Sequence, residues 1–425
     1  MHLLSVHDDS LLAVLGYCRA QDIYRVGCSC KRLLKLSMNV EALHCAGGIS
    51  GRALDFFYKL KHLSMANAVR LTEDRLLKIV CKCPSLLSLQ IQRLNLVQDD
   101  GTMVPDSREH EDSSGGNEAS ALLTPEYDNS FFRQSQTLSM SSLVISRLYL
   151  EGHAFVSYFS DTFLRLQELT LDACATIGDE DMVMILALCS HLHTLYARKM
   201  FSITSLASVH SISPLLTTLS FQKCSQLQVF TVGEGCSLQQ LVDLDLSYTN
   251  ITSASLVSLL RSCPSITTLD IKQCMAIRED LSISSQRIQS IDAAMCVNVK
   301  KMSIECPTLT KLNILHCHEL SSLSVLSNKL TRLDLSMLKM LQSVKLKCPS
   351  LASCLIAGCA AAVVSNLLEE NPSLQLRPNG GAVCSVGSPG AGAVSAFLGG
   401  NSEQVFEAER AVRARLRDRR SSTIG

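Results

Sequence analysis

The sequence has no excess of either charge, because 39 Lys and Arg residues are balanced by 39 Asp and Glu residues. A nucleic-acid-binding domain normally carries a basic excess, so the composition argues against that class of protein. Long apolar runs are also missing. The longest apolar segments, 182–189 and 354–364, are far shorter than the roughly 20 residues of a membrane-spanning helix. We therefore expect no membrane segment, and the acidic pair Asp8–Asp9 does not fit the basic start of a secretory leader.

The sequence also lacks the short motifs that carry most enzyme chemistry. It contains no nucleophile elbow, no paired metal motif and no phosphate-binding loop with its lysine. Hydrophobic residues make up 47% of the chain, which is enough for a large buried core. We therefore expect a folded protein that is not an enzyme and that needs no cofactor.

What the sequence does contain is a recurring leucine pattern, L-x-x-L-x-L, in which other apolar residues sometimes replace leucine. Neighbouring units begin 21 to 26 residues apart, except for one interval of 59 residues. This period indicates a leucine-rich-repeat solenoid, because a single unit cannot bury its own apolar edge and must stack on its neighbours. The predicted fold is α/β, with each unit adding one strand to a curved solenoid with a parallel inner sheet. The units begin at Leu60, Leu86, Ile145, Leu166, Leu192, Leu216, Leu241, Ile266, Ile288, Leu309, Leu330 and Leu351.

Cysteine follows the same period. Evenly spaced single cysteines indicate small buried side chains in a reducing compartment, so we expect free thiols and a cytoplasmic or nuclear protein. Zinc is the alternative, since His316-Cys317-His318 is near Cys296 and Cys306, but no C-x-x-C pair recurs there and we expect no metal. Six cysteines stand three residues after a unit's last apolar position and five stand three residues before the next unit: Cys174, Cys224, Cys274, Cys296, Cys317 and Cys359, and then Cys83, Cys189, Cys263, Cys306 and Cys348.

The segments that connect the strands differ along the chain. Residues 179–188 and 253–260 begin with acidic or cap-type residues and continue with apolar residues at helical spacing, which predicts two helices. The units from Ile288 onward are about 21 residues long and leave too little chain for a long helix. In residues 299–304 the apolar positions nearly alternate, which predicts extended or 3₁₀ connections there.

Three stretches interrupt or follow the predicted solenoid, which spans residues 49–376. Residues 99–137 are acidic and polar, which predicts a disordered insertion that is either a passive loop or a partner-binding one. Residues 377–402 are rich in Gly, Ala and Ser and predict a flexible linker. Residues 403–425 place three Glu before six Arg, the order that a helix dipole favours. We expect a basic helical tail, either simply solvated or used in nuclear import or at an anionic surface.

Residues 1–48 have a different pattern, which predicts two or three short helices. Asp8 or Asp9 can cap the first helix, and Ala20-Gln21-Asp22 can begin the second. So few residues cannot bury their apolar faces alone, so the solenoid or another protein must cover them. The segment resembles an F-box, although His7, Cys18 and Leu33 depart from its usual residues. The matching positions are Val6, Asp8, Leu11, Val14, Leu15, Tyr17, Asp22, Ile23, Cys30 and Lys31.

An F-box followed by cysteine-bearing leucine repeats resembles the F-box/leucine-rich-repeat class. The resemblance implies the substrate-recognition subunit of an SCF-type ubiquitin ligase. Its partners would be a Skp1-type adaptor, through that adaptor a cullin, and a protein substrate held by the repeats. The alternative is a leucine-rich-repeat interaction scaffold without a ligase partner, whose N-terminal helices cap the solenoid. The residues expected to contact Skp1 are Leu11, Leu12, Val14, Leu15, Ile23 and Val26.

The expected substrate site lies on the concave side of the sheet. The residue between the last two apolar positions of each unit should face that side, as should its neighbours two residues away. Because adjacent strands are about 4.8 Å apart, Asp245, Asp270 and Asp292 predict an acidic ladder flanked by Asp243, Lys272 and Arg332. The ladder either receives a basic stretch of the substrate or is merely solvated. The expected substrate-binding residues are Tyr196, Asp243, Asp245, Asp270, Lys272, Asp292, Asn313 and Asp334.

Overall fold

The structure is a computed structural model that describes most of the repeat region. The described residues are 42–45, 59–65, 71–72, 83, 85–93, 96–97, 140–148, 152–359, 363, 367 and 375–377. The insertion 99–137, the linker, the tail and all six expected Skp1-binding residues lie outside the described residues. The chain divides into two compact units, formed by residues 1–203 with 211–216 and by residues 204–210 with 217–425.

The first unit contains a parallel sheet to which successive turns of the chain add one strand each, in the order β1-β2-β4-β6-β7-β8. Strands β3 and β5 form a separate short pair. The elements are β1 (Ala42–Cys45), β2 (His62–Met65), β3 (Leu71–Thr72), β4 (Ser88–Gln92), β5 (Leu96–Val97), β6 (Ser142–Ser146), α1 (Gly152–Phe163), β7 (Glu168–Asp172), α2 (Asp179–Leu188) and β8 (Thr194–Arg198).

The strand register corrects one predicted repeat start. Leu143 of β6 lies beside Leu169 of β7, and Ile145 lies beside Leu171. The unit therefore starts at Met140 and ends its motif at Ile145, so a start at Ile145 is wrong. The pattern misleads because Ile145-x-x-Leu148-x-Leu150 also satisfies it, and Leu148 is buried as well.

The parallel sheet also begins earlier than expected. In β1, Leu43 lies beside Leu63 of β2 and Cys45 lies beside Met65. This pairing repeats the leucine register of the later turns, and Leu43 and Cys45 are both buried. Residues 42–45 are therefore part of the sheet, although the predicted boundary placed them in the N-terminal module that ends at residue 48.

The second unit contains strands in the same arrangement, in the orders β10-β12-β13-β15-β17 and β19-β21-β22. Strands β14-β16-β18-β20 form a second parallel sheet from the connecting segments, and β9 pairs with β11. The elements are β9 (Ser205–Val209), β10 (Thr218–Ser220), β11 (Val229–Val232), β12 (Asp243–Asp245), α3 (Ser253–Arg261), β13 (Thr268–Asp270), β14 (Glu279–Ser284), β15 (Ser290–Asp292), β16 (Val299–Glu305), β17 (Lys311–Asn313), β18 (Ser322–Leu326), β19 (Arg332–Asp334), β20 (Ser343–Lys347), β21 (Ser353–Leu355) and β22 (Gln375–Arg377).

The two predicted helices and the extended connection after Val299 are confirmed as α2, α3 and β16. At the start of α2, the Asp181 carboxylate accepts a hydrogen bond of 2.9 Å from the backbone of Gly178. At the start of α3, Thr252 Oγ1 accepts one of 3.3 Å from the backbone of Ser255. Both contacts satisfy amide groups that a helix start leaves unpaired. None of the described helices is long and apolar enough to cross a membrane.

The repeated cysteines are free and buried wherever the structure describes them at the two repeat positions. The thiols of Cys274 and Cys296 donate to the carbonyl oxygens of Leu246 and Ile271, each at 3.1 Å, on the preceding turn. The Cys317 thiol makes the same contact with Ala293 at 3.2 Å. Burial raises the pKa of Cys274 and Cys317 to about 11. Within the described residues, no three His, Cys, Asp or Glu side chains are grouped so that they could hold a metal ion.

Candidate functional site

The strand ends of the second unit carry a row of polar side chains. Strand pairing places Asp270 directly between Asp245 and Asp292 on neighbouring parallel strands. Ser220 continues the row beside Asp245, and Asn313 continues it beside Asp292. We call Asp245, Asp270 and Asp292 the acidic row. The residues on either side of each acid, leucine or isoleucine except for Ala293, are buried in the core, so the carboxylates lie on the opposite face of the strands.

Each acid of the row also ends its own strand. The Oδ1 atom accepts a hydrogen bond from the backbone N–H two residues later, an Asx turn that removes that N–H from strand pairing. The distances are 2.9 Å from Ser247 to Asp245, 2.9 Å from Lys272 to Asp270 and 3.0 Å from Ala294 to Asp292. Asn313 makes the same turn at 3.3 Å, which shows that an amide can replace the carboxylate in this role.

The second carboxylate oxygens are in different situations. Asp245 Oδ2 accepts a hydrogen bond of 3.0 Å from the Ser220 hydroxyl, and Asp292 Oδ2 accepts one of 3.1 Å from the Asn313 amide. Asp270, at the centre, has no such neighbour among the described residues. Burial, followed by the charges of Asp245 and Asp292, raises the pKa of Asp270 to about 6, against the lowering effect of Lys272. The centre of the row is therefore where a positive partner group would relieve the most unfavourable charge.

The other expected substrate-binding residues are not all at the row. Asp243 is two residues before Asp245 on the same strand face, and Lys272 follows Asp270. Arg332 and Asp334 lie on β19, whereas β17 pairs with β15 directly. Because β17 intervenes, Arg332 does not flank the acidic row, and this part of the expectation is wrong. Asp334 makes its own Asx turn, accepting a hydrogen bond of 2.8 Å from Ser336.

Tyr196 belongs to the first unit, where it lies on β8 and pairs with Thr170 of β7. The Arg198 guanidinium carbon is 4.3 Å from the centre of the Tyr196 ring, a cation–π contact. Nearby, Lys199 Nζ forms an ion pair of 3.0 Å with Asp172. Sequence reasoning did not single out Arg198, although its spacing of two residues from Tyr196 is the signal that places both on one strand face.

The acidic row presents hydrogen-bond acceptors and negative charge. Its carboxylates are anchored by backbone N–H groups and present acceptor oxygens at intervals of about 4.8 Å, the spacing of neighbouring strands. Sequence reasoning predicted the alignment but missed the Asx turns. A possible signal was the small residue two positions after the acid, as in Asp245-Leu246-Ser247 and Asp334-Leu335-Ser336. One oxygen of each carboxylate thus holds an Asx turn, and within the row Asp270 is the acid whose second oxygen has no hydrogen bond to a described residue.

No family model matches the chain, and no curated protein matches it. Among solved structures, the chain is similar to that of the yeast Rad7 and Elc1 complex, at 13% identity over 88% of this chain and 91% of that chain, with a TM-score of 0.35. It is also similar to the functional domain of InlJ from Listeria monocytogenes, which includes a cysteine ladder, at 14% identity over 80% and 74% of the two chains, with a TM-score of 0.33. A leucine-rich-repeat protein of Leptospira interrogans is 12% identical over 82% and 86%, with a TM-score of 0.29. Likenesses at these values do not place this chain in any of those families.

Proposed function

We propose that this chain is a non-catalytic protein-binding solenoid that receives a basic segment of a protein partner on the acidic row. The observation that carries this proposal is the alignment of three carboxylates on neighbouring strands, each held by a backbone hydrogen bond. Like charges on adjacent strands repel one another. Lysine or arginine side chains of a partner would replace that repulsion with attraction, which gives specificity and speeds association.

The raised pKa of Asp270 supplies a pH signature for such binding. A partner cation near the row favours the ionised form of Asp270 and so lowers its pKa. Binding should therefore release a proton near pH 6, where the free protein still holds it part of the time. We expect affinity for a basic segment to rise as the pH increases from 5 to 7.

For the cellular role, we propose a substrate-recognition subunit of an SCF-type ubiquitin ligase. The support is the F-box resemblance of residues 1–48, directly ahead of a cysteine-bearing repeat solenoid. In this role the protein performs no chemistry itself. It raises the effective concentration of a substrate lysine near a ubiquitin-conjugating enzyme that another subunit recruits.

The acidic row is tested with a fluorescent peptide that contains four lysines, measured by anisotropy at low salt. The variant Asp245→Asn/Asp270→Asn/Asp292→Asn keeps the Asx turns, as Asn313 does, and removes the three charges together with the Oδ2 acceptors of Ser220 and Asn313. We expect its affinity to fall about tenfold, with a weaker dependence on salt. The matched control Glu279→Gln/Asp280→Asn/Glu305→Gln makes the same charge change on β14 and β16, where these side chains are exposed. An equal loss in both variants would contradict a specific role for the row.

The ligase role is tested with purified Skp1. Replacing Leu11 and Leu15 by Ala should abolish Skp1 pull-down and leave the circular dichroism of the repeat region unchanged. The triple Asn variant of the acidic row is the crossed control, since it should lose the basic peptide and keep Skp1. Undiminished pull-down by the Leu11→Ala/Leu15→Ala variant would favour the scaffold without a ligase partner.

A further inference from the structure

A groove of about 450 Å³ lies at the beginnings of β12, β13, β15 and β17 in the second unit. Its volume is within the range of known ligand sites, about 300–1,000 Å³. Its lining residues flank the first apolar position of each turn, so the groove is at the opposite end of these strands from the acidic row. It crosses four turns, a span of about 14 Å at the usual strand spacing.

The lining of the groove consists of amides, hydroxyls and a single cation, and no carboxylate lines it. The amides come from Gln239, Gln240, Gln286 and Gln289. None of these four side chains has a hydrogen bond to another described residue. Val242 is the one apolar residue of the lining. Amide side chains both donate and accept, so together they complement the peptide groups of an extended chain.

The cation, Arg287, is exposed, and hydrogen bonds hold the backbone around it. Its Nη1 donates to Ser265 Oγ at 3.4 Å, and its backbone N–H donates to Ser285 Oγ at 3.3 Å. The Thr308 hydroxyl contacts the carbonyl oxygens on either side of it in the chain, those of Gln286 at 3.1 Å and Ile288 at 2.9 Å. Within the described residues no carboxylate pairs with the guanidinium. Asp243 follows Val242 in the chain but is not part of the lining.

We propose that this groove binds an acidic side chain, glutamate or aspartate, in an extended segment of the protein partner. The carboxylate accepts from Arg287, and the neighbouring peptide groups bond to the glutamine amides. A single guanidinium matches a single carboxylate in a two-point contact, whereas phosphopeptide sites use clusters of arginines. This inference rests on the proposed function, since the occupant belongs to the same partner, and it adds that the partner carries an acid some 15 Å from its basic stretch.

The test uses three fluorescent decapeptides of Gly, Ala and Ser that differ at one central residue, which is glutamate, glutamine or phosphoserine. Anisotropy is measured with the full chain at low salt. We expect the glutamate peptide to bind about tenfold more tightly than the glutamine peptide, the effect of one charge-assisted pair. Arg287→Gln should remove this preference. The matched control Arg278→Gln, which removes an exposed arginine outside the groove, should retain it.

A second variant separates charge recognition from backbone recognition. Gln289→Ala should weaken the glutamate and glutamine peptides by the same factor, because it removes an amide contact that both peptides share. Thermal unfolding of each variant checks that the fold is intact.

The proposal is overturned if no peptide binds, if the glutamate preference survives Arg287→Gln, or if the phosphoserine peptide binds more tightly than the glutamate peptide. Failure of the proposed function gives a different result. In that case the lysine peptide would bind the triple Asn variant of the acidic row normally, whatever the groove does. Loss of the glutamate preference alone leaves the acidic row in place as a binding surface.

Discussion

Strands β4, β6, β7 and β8 of the first unit are longer than the strands of the second unit that carry the same leucine motif, and one residue position explains the difference. Strands β4, β6, β7 and β8 have five residues each, whereas β12, β13, β15, β17 and β19 have three. At the position between the last two apolar residues, the long strands carry Gln90, Val144, Thr170 and Tyr196, and the short ones carry Asp or Asn. An Asp or Asn there binds the backbone N–H two residues later and ends the strand. Ser220 of the three-residue β10 does the same through its hydroxyl, which accepts from the Gln222 backbone at 3.3 Å.

In these strands of the second unit, strand length and surface charge therefore have a common origin. The side chain that closes the strand is also the one that presents negative charge, so a substitution tests both properties unless it preserves the Asx turn. Strand β21 also has three residues, although the residue between the last two apolar positions of its motif is Leu355 and not Asp or Asn. The neighbouring strand β19 ends at Asp334, which pairs with Leu355. Beyond Leu355, β21 therefore has no strand to pair with on that side.

The largest expected effect is that of Asp245→Ala in the second unit. It removes the acceptor of the Ser247 backbone, the Ser247 hydroxyl and the Ser220 hydroxyl, so we expect a loss of about 2 kcal/mol in the free energy of unfolding. Asp245→Asn, which keeps the turn, should change it by less than about 0.5 kcal/mol, the range of ordinary surface substitutions. Urea unfolding followed by circular dichroism measures both.

The matched position in the first unit provides the control for that comparison. Thr170→Ala removes a side chain that closes no Asx turn, and we expect a loss below about 1 kcal/mol from strand propensity alone. If Thr170→Ala and Asp245→Ala were equally destabilising, the Asx turn would not be what distinguishes the two units.

The next effect is a pH-dependent gain from Asp270→Asn. Folding raises the pKa of Asp270 to about 6, so the folded protein holds this proton more tightly than the unfolded chain does. The resulting contribution to the free energy of unfolding is fully present below the ordinary aspartate pKa and is lost as the pH rises through 6. Asn keeps the turn without the charge, and we expect about 1 kcal/mol of stabilisation at pH 7 after allowance for partial exposure. The gain should shrink towards pH 4. Unfolding midpoints across this range measure it.

Glu234→Gln, at an exposed turn of the same unit, removes one negative charge elsewhere and should leave the unfolding midpoint nearly unchanged. A gain of Asp270→Asn that was the same at pH 4 and pH 7 would show that ionisation of Asp270 is not its cause.

The smallest expected difference is in the reactivity of the buried thiols, which are present in both units. Burial raises the pKa of Cys174 and Cys189 in the first unit to about 12 and that of Cys274 in the second to about 11. We expect these three to react with iodoacetamide at least about 100-fold more slowly than the partly exposed Cys236. Mass spectrometry of the labelled peptides gives the rate at each site. Rapid labelling of Cys174 but not of Cys274 would show that the first unit opens more readily than the second.

Much of the fold could be predicted because burial in a repeat is periodic. The motif Leu309-x-x-Leu312-x-Ile314 contains β17, and the acidic start of α2 fixed its first residue. Helix α1 was not predicted. It contains aromatic and β-branched residues that have modest helix propensity, and the buried Phe155 and Phe163, whose rings pack at 5.7 Å, favour it through packing.

The candidate site was predictable only in part, for the same physical reason. The acids align because they share one position of the motif, which the sequence shows directly. The misplacement of Arg332 was avoidable, because the unit that begins at Leu309 stands in the sequence between the unit of Asp292 and the unit of Arg332. The groove around Arg287 has no signature in the repeat pattern, because its lining residues stand at positions where the fold requires no particular side chain.

In the acidic row of the second unit, each turn of the chain contributes one carboxylate. Asp245, Asp270 and Asp292 come from successive turns, and each occupies the same place in its turn. Duplicating or deleting one whole turn would therefore lengthen or shorten the row by one carboxylate, a step of about 4.8 Å, without a new kind of fold. The number of charges that a partner meets is thus set by how many turns the gene encodes.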